Sequence, residues 1–285
     1  MAPAFHFISS FANNAVIIID GLRKSESQTG LQLYNELRDL RDFEKAVSVV
    51  KRYEVSNAIE LRILLENLQK DAKDGLRPVL HFECHGDAKQ GLEIGESRER
   101  FAWTALEPLL RAINVATKCN LGVVMAVCSG LHAITSVKMH RATPFYFLVG
   151  SEDELLQEQI RSEMRAFYRV LLLSSDLDKA LQQVPSCRSY HAEKLLAIAL
   201  GRFLRQSCMG TGREKRTEYL VTEMKWRLGG FRNREQMRLI RQQAKKRVQG
   251  GMSEAAFHQF ARTFLGVREP SFTYTELAQW VRSGI

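Results

Sequence analysis

Four short apolar runs, each followed within three residues by glycine and separated by helical periodicity, narrow this chain to few architectures. They are Ala15–Asp20, Pro78–Cys84, Leu121–Val127 and Phe145–Val149. They are apolar throughout rather than alternating, as strands are when both faces of a parallel sheet are covered. Ala46-Val47-Ser48-Val49-Val50 reads as a further strand. Between the strands, Ala58, Leu61, Leu64, Leu65 and Leu68 recur at helical spacing behind an Asn57/Glu60 cap pair. Leu106, Leu109, Leu110 and Ile113 make a second stripe. Thr104 and Glu107 stand as its capping box, and Pro108 is expected in its first turn. A helix is expected near Leu131–Met139. Another buries Met164, Phe167, Tyr168, Leu171 and Leu172 behind a Ser151/Glu154 cap. Alternation of this kind predicts an α/β protein, a mainly parallel sheet with helices on both faces. At 285 residues and 45% hydrophobic, the chain can bury a core large enough for one big domain or two smaller ones.

Two of the runs end in reactive groups. The strand through Phe82 leads into His85-Gly86, and the strand through Val127 leads into Cys128-Ser129-Gly130. In open α/β sheets the working groups stand at the carboxyl ends of strands. A thiol and an imidazole on neighbouring strand ends are the minimum for a cysteine nucleophile with its general base. A free thiol, with a pKa of about 8.5, is mostly protonated at neutral pH, so it needs such a neighbour. If the segment after Ser129 is helical, its dipole also favours negative charge beside Cys128. Gly86 and Gly130 let a backbone or substrate come close. Taken singly, Cys128 is as well explained as a buried structural cysteine and His85 as a hydrogen-bonded strand-end histidine. The pair, in this order, points to catalysis.

The run His81-Phe82-Glu83-Cys84-His85-Gly86-Asp87, then Gly91-Leu92-Glu93-Ile94, then Ala126-Val127-Cys128-Ser129-Gly130, resembles the caspase-like cysteine peptidases, most closely their bacterial CHAT-type branch. The likeness spans roughly Ala15 to Val184. It implies a caspase-like sheet, His85 as base, Cys128 as nucleophile, and an oxyanion hole from the N–H groups of Gly86 and Cys128. Ala126 and Ser129 stand where animal caspases carry Gln and Arg, so strict cleavage after aspartate does not transfer. The resemblance further implies an endopeptidase held as a zymogen or triggered by a regulatory protein or an activating protease. Lys138 and Arg141, in the segment after the Cys128 strand, are the expected processing sites, with 212–216 as a second. Similar bacterial proteins often serve antiviral defence. The alternative is a catalytically silent caspase-like binding module. Glu83 is a candidate to orient His85.

Specificity candidates come from the loops after the first and last of these strands. Asp20, Glu152 and Asp153 are carboxylates, and Arg23 is the one cation among the four. That majority predicts a basic P1 residue. Asp20 could equally cap a turn, and Glu152 and Asp153 complement a helix N-terminus.

Charge divides the chain near Pro185-Ser186. Residues 1–184, the expected peptidase domain, carry a balance of −2, and residues 185–285 carry +11. The tail reads as helical, with breaks at Gly229-Gly230 and Gly250-Gly251. Residues 202–247 hold 14 Lys+Arg against 4 Asp+Glu, with Trp226 and Phe231 interleaved. Such a region attracts nucleic acid or an acidic protein, although no nucleic-acid-binding module is legible and a solvated face explains the charge as well. Leu195–Leu200 is apolar enough to dock as structure. Cysteines at 84, 119, 128, 187 and 208 form no paired framework, which suits a reducing cytoplasm. His and Cys are too scattered for a metal site, and no cofactor is expected. No apolar run reaches membrane-spanning length, and the N-terminus lacks the pattern of a signal peptide.

Overall fold

The computed structural model describes residue 5 and residues 11–44, 49–153, 157–230, 233–249 and 252–283. Ala46, Val47, Ser48, Glu154, Phe231 and Gly250-Gly251, all invoked above, lie outside the described residues. The chain forms two compact units. One holds Ser9–Ala192 and Thr263–Arg268, and the other holds Met1–Ile8, Glu193–Arg262 and Glu269–Ile285.

The larger unit begins β1 (Ala15–Asp20), α1 (Thr29–Glu44), β2 (Val49–Glu54), α2 (Ala58–Lys73) and β3 (Pro78–Glu83). It continues β4 (His85–Asp87), β5 (Gly91–Ile94), β6 (Glu99–Phe101) and α3 (Trp103–Ala116). Then follow β7 (Gly122–Met125), a 3-10 helix (Gly130–Ser136), β8 (Phe147–Gly150), α4 (Gln157–Ser174), α5 (Leu177–Leu181) and β9 (Arg188–His191). Six strands make one sheet in the order β2-β1-β3-β7-β8-β9, parallel except for β9. Every residue of β1 is buried, as its unbroken apolar run requires. The edge strand β2 is largely exposed. β9 lies beyond Pro185 in sequence, yet it pairs with β8 in the same sheet.

Right-handed crossovers decide where the helices go. From β1 the chain steps one way to β2; from β2 through α2 to β3, and from β3 through α3 to β7, it steps the other way. So α1 belongs to one face and α2 and α3 to the opposite one. The packing agrees: α2 lies against α3, and α1 against α4. The chain is an α/β protein with a mostly parallel sheet flanked by helices.

Local differences from the sequence have clear causes. Asn57 caps α2, its side chain accepting from the Glu60 N–H at 2.9 Å. The Thr104/Glu107 box does not form. Burial of Trp103, whose indole N–H donates to the Asp87 carbonyl at 3.1 Å, starts α3 one residue before Thr104. Glu107 is instead buried and paired with Arg111 at 2.9 Å and Arg141 at 3.3 Å. Pro108 consequently falls in the second turn. The segment after Cys128 is a short 3-10 helix rather than an α-helix reaching Met139. The macrodipole expected beside Cys128 is therefore not supplied there.

The smaller unit holds nearly all of α6 (Ala192–Cys208), α7 (Gly210–Arg227), α8 (Arg234–Gln249), most of α9 (Glu254–Leu265) and α10 (Tyr274–Arg282). Gly229 and Gly230, both at positive φ, end α7 where the sequence places a break. Val221, Ile240 and Ala244 bury the α7–α8 seam. Arg234, Arg238, Arg241 and Lys245 follow each other at spacings of four, three and four on α8, so they share one face, and all four are exposed. Among the described residues no helix is long and apolar enough to cross a membrane.

Candidate active site

The sheet reverses direction of construction between β1 and β3, and a crevice opens outside their carboxyl ends. This is where α/β sheets place ligands. A cavity of about 390 Å³ lies there. It is lined from the β1 loop by Glu26, from the β3 end by Cys84 and His85, and from the β7 end by Ala126, Val127 and Cys128. The two sequence candidates for base and nucleophile therefore share one cavity.

Backbone docking fixes their relation. A Cβ on Gly86 would sit 2.2 Å from the Cys128 carbonyl oxygen. The chain after His85 thus lies directly on the chain at Cys128, and only glycine permits it. The turn that carries Cys128 is held tightly. Ser129 adopts a left-handed conformation, φ 57°, an uncommon state for a residue with a side chain. Its N–H donates to the Asp153 carbonyl at 3.2 Å. The Gly130 N–H donates to Val127 O at 3.2 Å, and the Leu131 N–H to Ser151 O at 2.9 Å. Among the described residues no hydrogen bond occupies the Cys128 N–H, which is what an oxyanion donor requires.

His85 is oriented by Glu26, its Nε2 lying 2.8 Å from Glu26 Oε1. Arg23 binds the same carboxylate through its guanidinium, and its N–H donates to Glu26 Oε2 at 2.8 Å. Arg23 first, with His85 adding to it, holds the Glu26 carboxyl down to about 2. An ionised carboxylate only accepts, so Nε2 carries the imidazole proton. Nδ1 is left as the basic nitrogen. Because its pKa is lowered on folding, Glu26 contributes stability that is fully present above about pH 4.5 and lost as pH falls through about 2. Glu26→Gln is expected to lower kcat on the order of 100-fold, since an amide no longer selects that tautomer. Stability near pH 7 should fall too, because the carboxylate's pairings with Arg23 and His85 are lost, so kcat is compared on samples shown to be folded. Steady-state kinetics beside a melting curve checks this, and unchanged kcat would remove Glu26 from the site.

Glu26 was not found from the sequence. It lies 59 residues before His85, and no spacing rule links a loop carboxylate to a strand-end histidine. A usable signal is an acidic residue in the loop after the first strand, the other wall of the crevice. Glu83, the sequence candidate for this task, serves a different imidazole. It accepts from Thr29 Oγ1 at 2.9 Å and contacts His81 Nε2 at 3.0 Å. The other nitrogen of buried His81 faces the Tyr168 hydroxyl at 3.0 Å. Glu83 shares its face with His81, two residues back, whereas β3 ends at Glu83 and His85 opens β4 in the other sheet. Cys84 is buried, and burial pushes its thiol far up, leaving a poor nucleophile.

The specificity candidates do not converge on the cavity. Asp20 is 2% exposed and ion-paired to Arg52 at 2.7 Å. It borders a separate small cavity with Arg52 and Glu54. Burial nevertheless pushes its carboxyl up, Arg52 opposing. Arg23 is committed to Glu26. Glu152 pairs with Arg188 at 3.0 Å, and Asp153 contributes its carbonyl to the Ser129 turn. None of the four lines the cavity. Of the expected processing residues, Lys138 is exposed, whereas Arg141 is tied to Glu107 and the Ser136 carbonyl.

Among the described residues no group of His, Cys, Asp and Glu is placed to hold a metal ion. Compared with known protein families and with curated proteins, the chain finds no match.

Proposed function

We propose that this chain is a cysteine endopeptidase of caspase-like type. The observation that carries this is the seating of Gly86 on the Cys128 carbonyl, which brings His85 and Cys128 to one cavity at the sheet's carboxyl edge. His85 Nδ1 takes the Cys128 proton, and the thiolate attacks the scissile carbonyl carbon. The oxyanion faces the Cys128 N–H, with Gly86 the second donor that the resemblance implies. As the intermediate collapses the C–N bond breaks, His85 returns the proton to the leaving amine, and an acyl-enzyme thioester remains. Water, deprotonated by His85, hydrolyses the thioester and frees the acid product. Glu26 holds the imidazole throughout. The deciding experiment is a thiol-directed peptide probe: it should label Cys128 in the wild type, and equal labelling of Cys128→Ala would leave a silent binding module.

The same proposal takes in regulation and place. Exposed Lys138, in the loop between the Cys128 turn and β8, is the accessible processing site. A cytoplasmic, partner- or protease-triggered enzyme in bacterial antiviral defence is the setting the resemblance supplies, and it enters by analogy only.

A nucleic-acid partner for the smaller unit is a further part of the proposal, and the exposed α8 stripe supports it. Four cations on one face suit a row of phosphates. Arg234→Ala/Arg238→Ala/Lys245→Ala is expected to flatten the salt dependence of duplex DNA binding, by about three in the slope of log K against log salt. Fluorescence anisotropy across a salt series measures it, and wild-type protein that fails to bind at low salt would defeat the assignment.

A further inference from the structure

We infer that the cavity beside Cys128 receives an apolar P1 side chain, so that the peptide bond cut follows a leucine-, methionine- or phenylalanine-sized residue; this rests on the peptidase proposal. The walls away from the reacting groups are Leu22, Leu33, Val127, Ile160 and Met164. Leu33, Ile160 and Met164 are themselves 3%, 9% and 2% exposed, so α1 and α4 present them as a packed surface. A cavity of about 390 Å³ lies within the usual size of side-chain and small-ligand sites, which are mostly apolar with a few placed polar groups.

The lining carboxylates are already engaged. Both Glu83 oxygens are taken, by Thr29 and His81. Both Glu26 oxygens are taken, by the Arg23 side chain and N–H and by His85. Arg161 is exposed and donates to Gln32 Oε1 at 3.0 Å. A cationic P1 would have to displace Arg23 or His85 from Glu26, or His81 from Glu83, and the first of these disarms the base. An anionic P1 would meet two carboxylates, which outweigh the one lining arginine, exposed Arg161. A charge that enters without a partner carries its full desolvation cost, whereas an apolar side chain only loses water. The four charged residues that the sequence nominated for this pocket lie elsewhere, each with its own partner or backbone task.

The test uses peptidyl acyloxymethyl ketones of one sequence, varied only at P1 as Leu, Phe, Lys and Asp, with second-order rates of Cys128 labelling measured on the full chain. Leu or Phe is expected to react about tenfold or more faster than Lys or Asp, the scale of discrimination an apolar pocket gives. Fastest labelling by Lys or Asp overturns the apolar assignment and leaves the peptidase standing. Failure of all four to label Cys128 overturns the peptidase proposal beneath it. Met164→Ala gives a second measure, because a larger pocket should raise the Phe-to-Leu ratio. An unchanged ratio in folded Met164→Ala protein would show that this cavity does not read the side chain, and would also overturn the inference.

Discussion

Cys128→Ala is expected to reduce peptide turnover to the uncatalysed background while the chain keeps its fold. Losses on the order of 10⁶ in kcat accompany removal of the nucleophile where nucleophile, base and oxyanion donors act as a unit. His85→Ala should come close to the same loss, and the double variant should lose little more. Cys128 is only partly buried, so its truncation should cost stability no more than about 1 kcal/mol. Kinetics of the three variants, each checked by thermal melting, forms the measurement. Additive losses would mean that the two residues do not act on one bond. Retained turnover in Cys128→Ala would exclude this thiol altogether. Cys84, one residue before His85, is the internal control: its buried thiol should resist alkylation while Cys128 reacts.

Gly86→Ala is expected to have the second-largest effect, although it removes no reacting side chain and keeps the N–H at position 86. The new Cβ would lie 2.2 Å from the Cys128 carbonyl oxygen and 3.0 Å from Val127 Cγ2. The oxygen is backbone, held in a turn whose N–H groups at Ser129, Gly130 and Leu131 are all engaged. It cannot swing aside as a side chain would. The strand carrying His85 must therefore move by about 1 Å, and misplacement on that scale costs about 100-fold in rate. Crowding should also lower stability by about 1–3 kcal/mol. Comparison of kcat with denaturant unfolding separates the two effects. Wild-type rate and stability together would show that the backbone docking is not needed.

Much of the sheet was legible because burial on both faces leaves an uninterrupted signature. Ala15–Asp20 and Pro78–Glu83 are strands as read, and α2 begins at Asn57 as read. Failures fell where a tertiary contact outweighed a local pattern. Thr104 and Glu107 satisfy the spacing of a capping box, but burying Trp103 starts α3 earlier and sends Glu107 to Arg111 and Arg141. The segment after Cys128 has helical periodicity, yet the left-handed Ser129 and the bonds to Ser151 and Asp153 leave it a short 3-10 helix. That His85 and Cys128 share one cavity was legible because strand ends are. Glu26 was not, because its partner is chosen by the crossing of two loops. The charges nominated for P1 lie outside the cavity, since a sequence shows that Asp20 is charged but not that Arg52 already holds it.

The order of pairing in the sheet has a consequence for the newly made chain. Glu26 follows β1, His85 follows β3 and Cys128 follows β7, and β1–β3 and β3–β7 are both parallel pairings between distant segments. Such contacts form late, because long loops must close before they return any energy. Until β7 seats against β3, the thiol has no imidazole, and until the β1 loop closes over His85, the imidazole has no anchor. On the proposed chemistry, a nascent or half-unfolded chain lacks the assembled pair, and only molecules that have completed their fold carry an activated thiol.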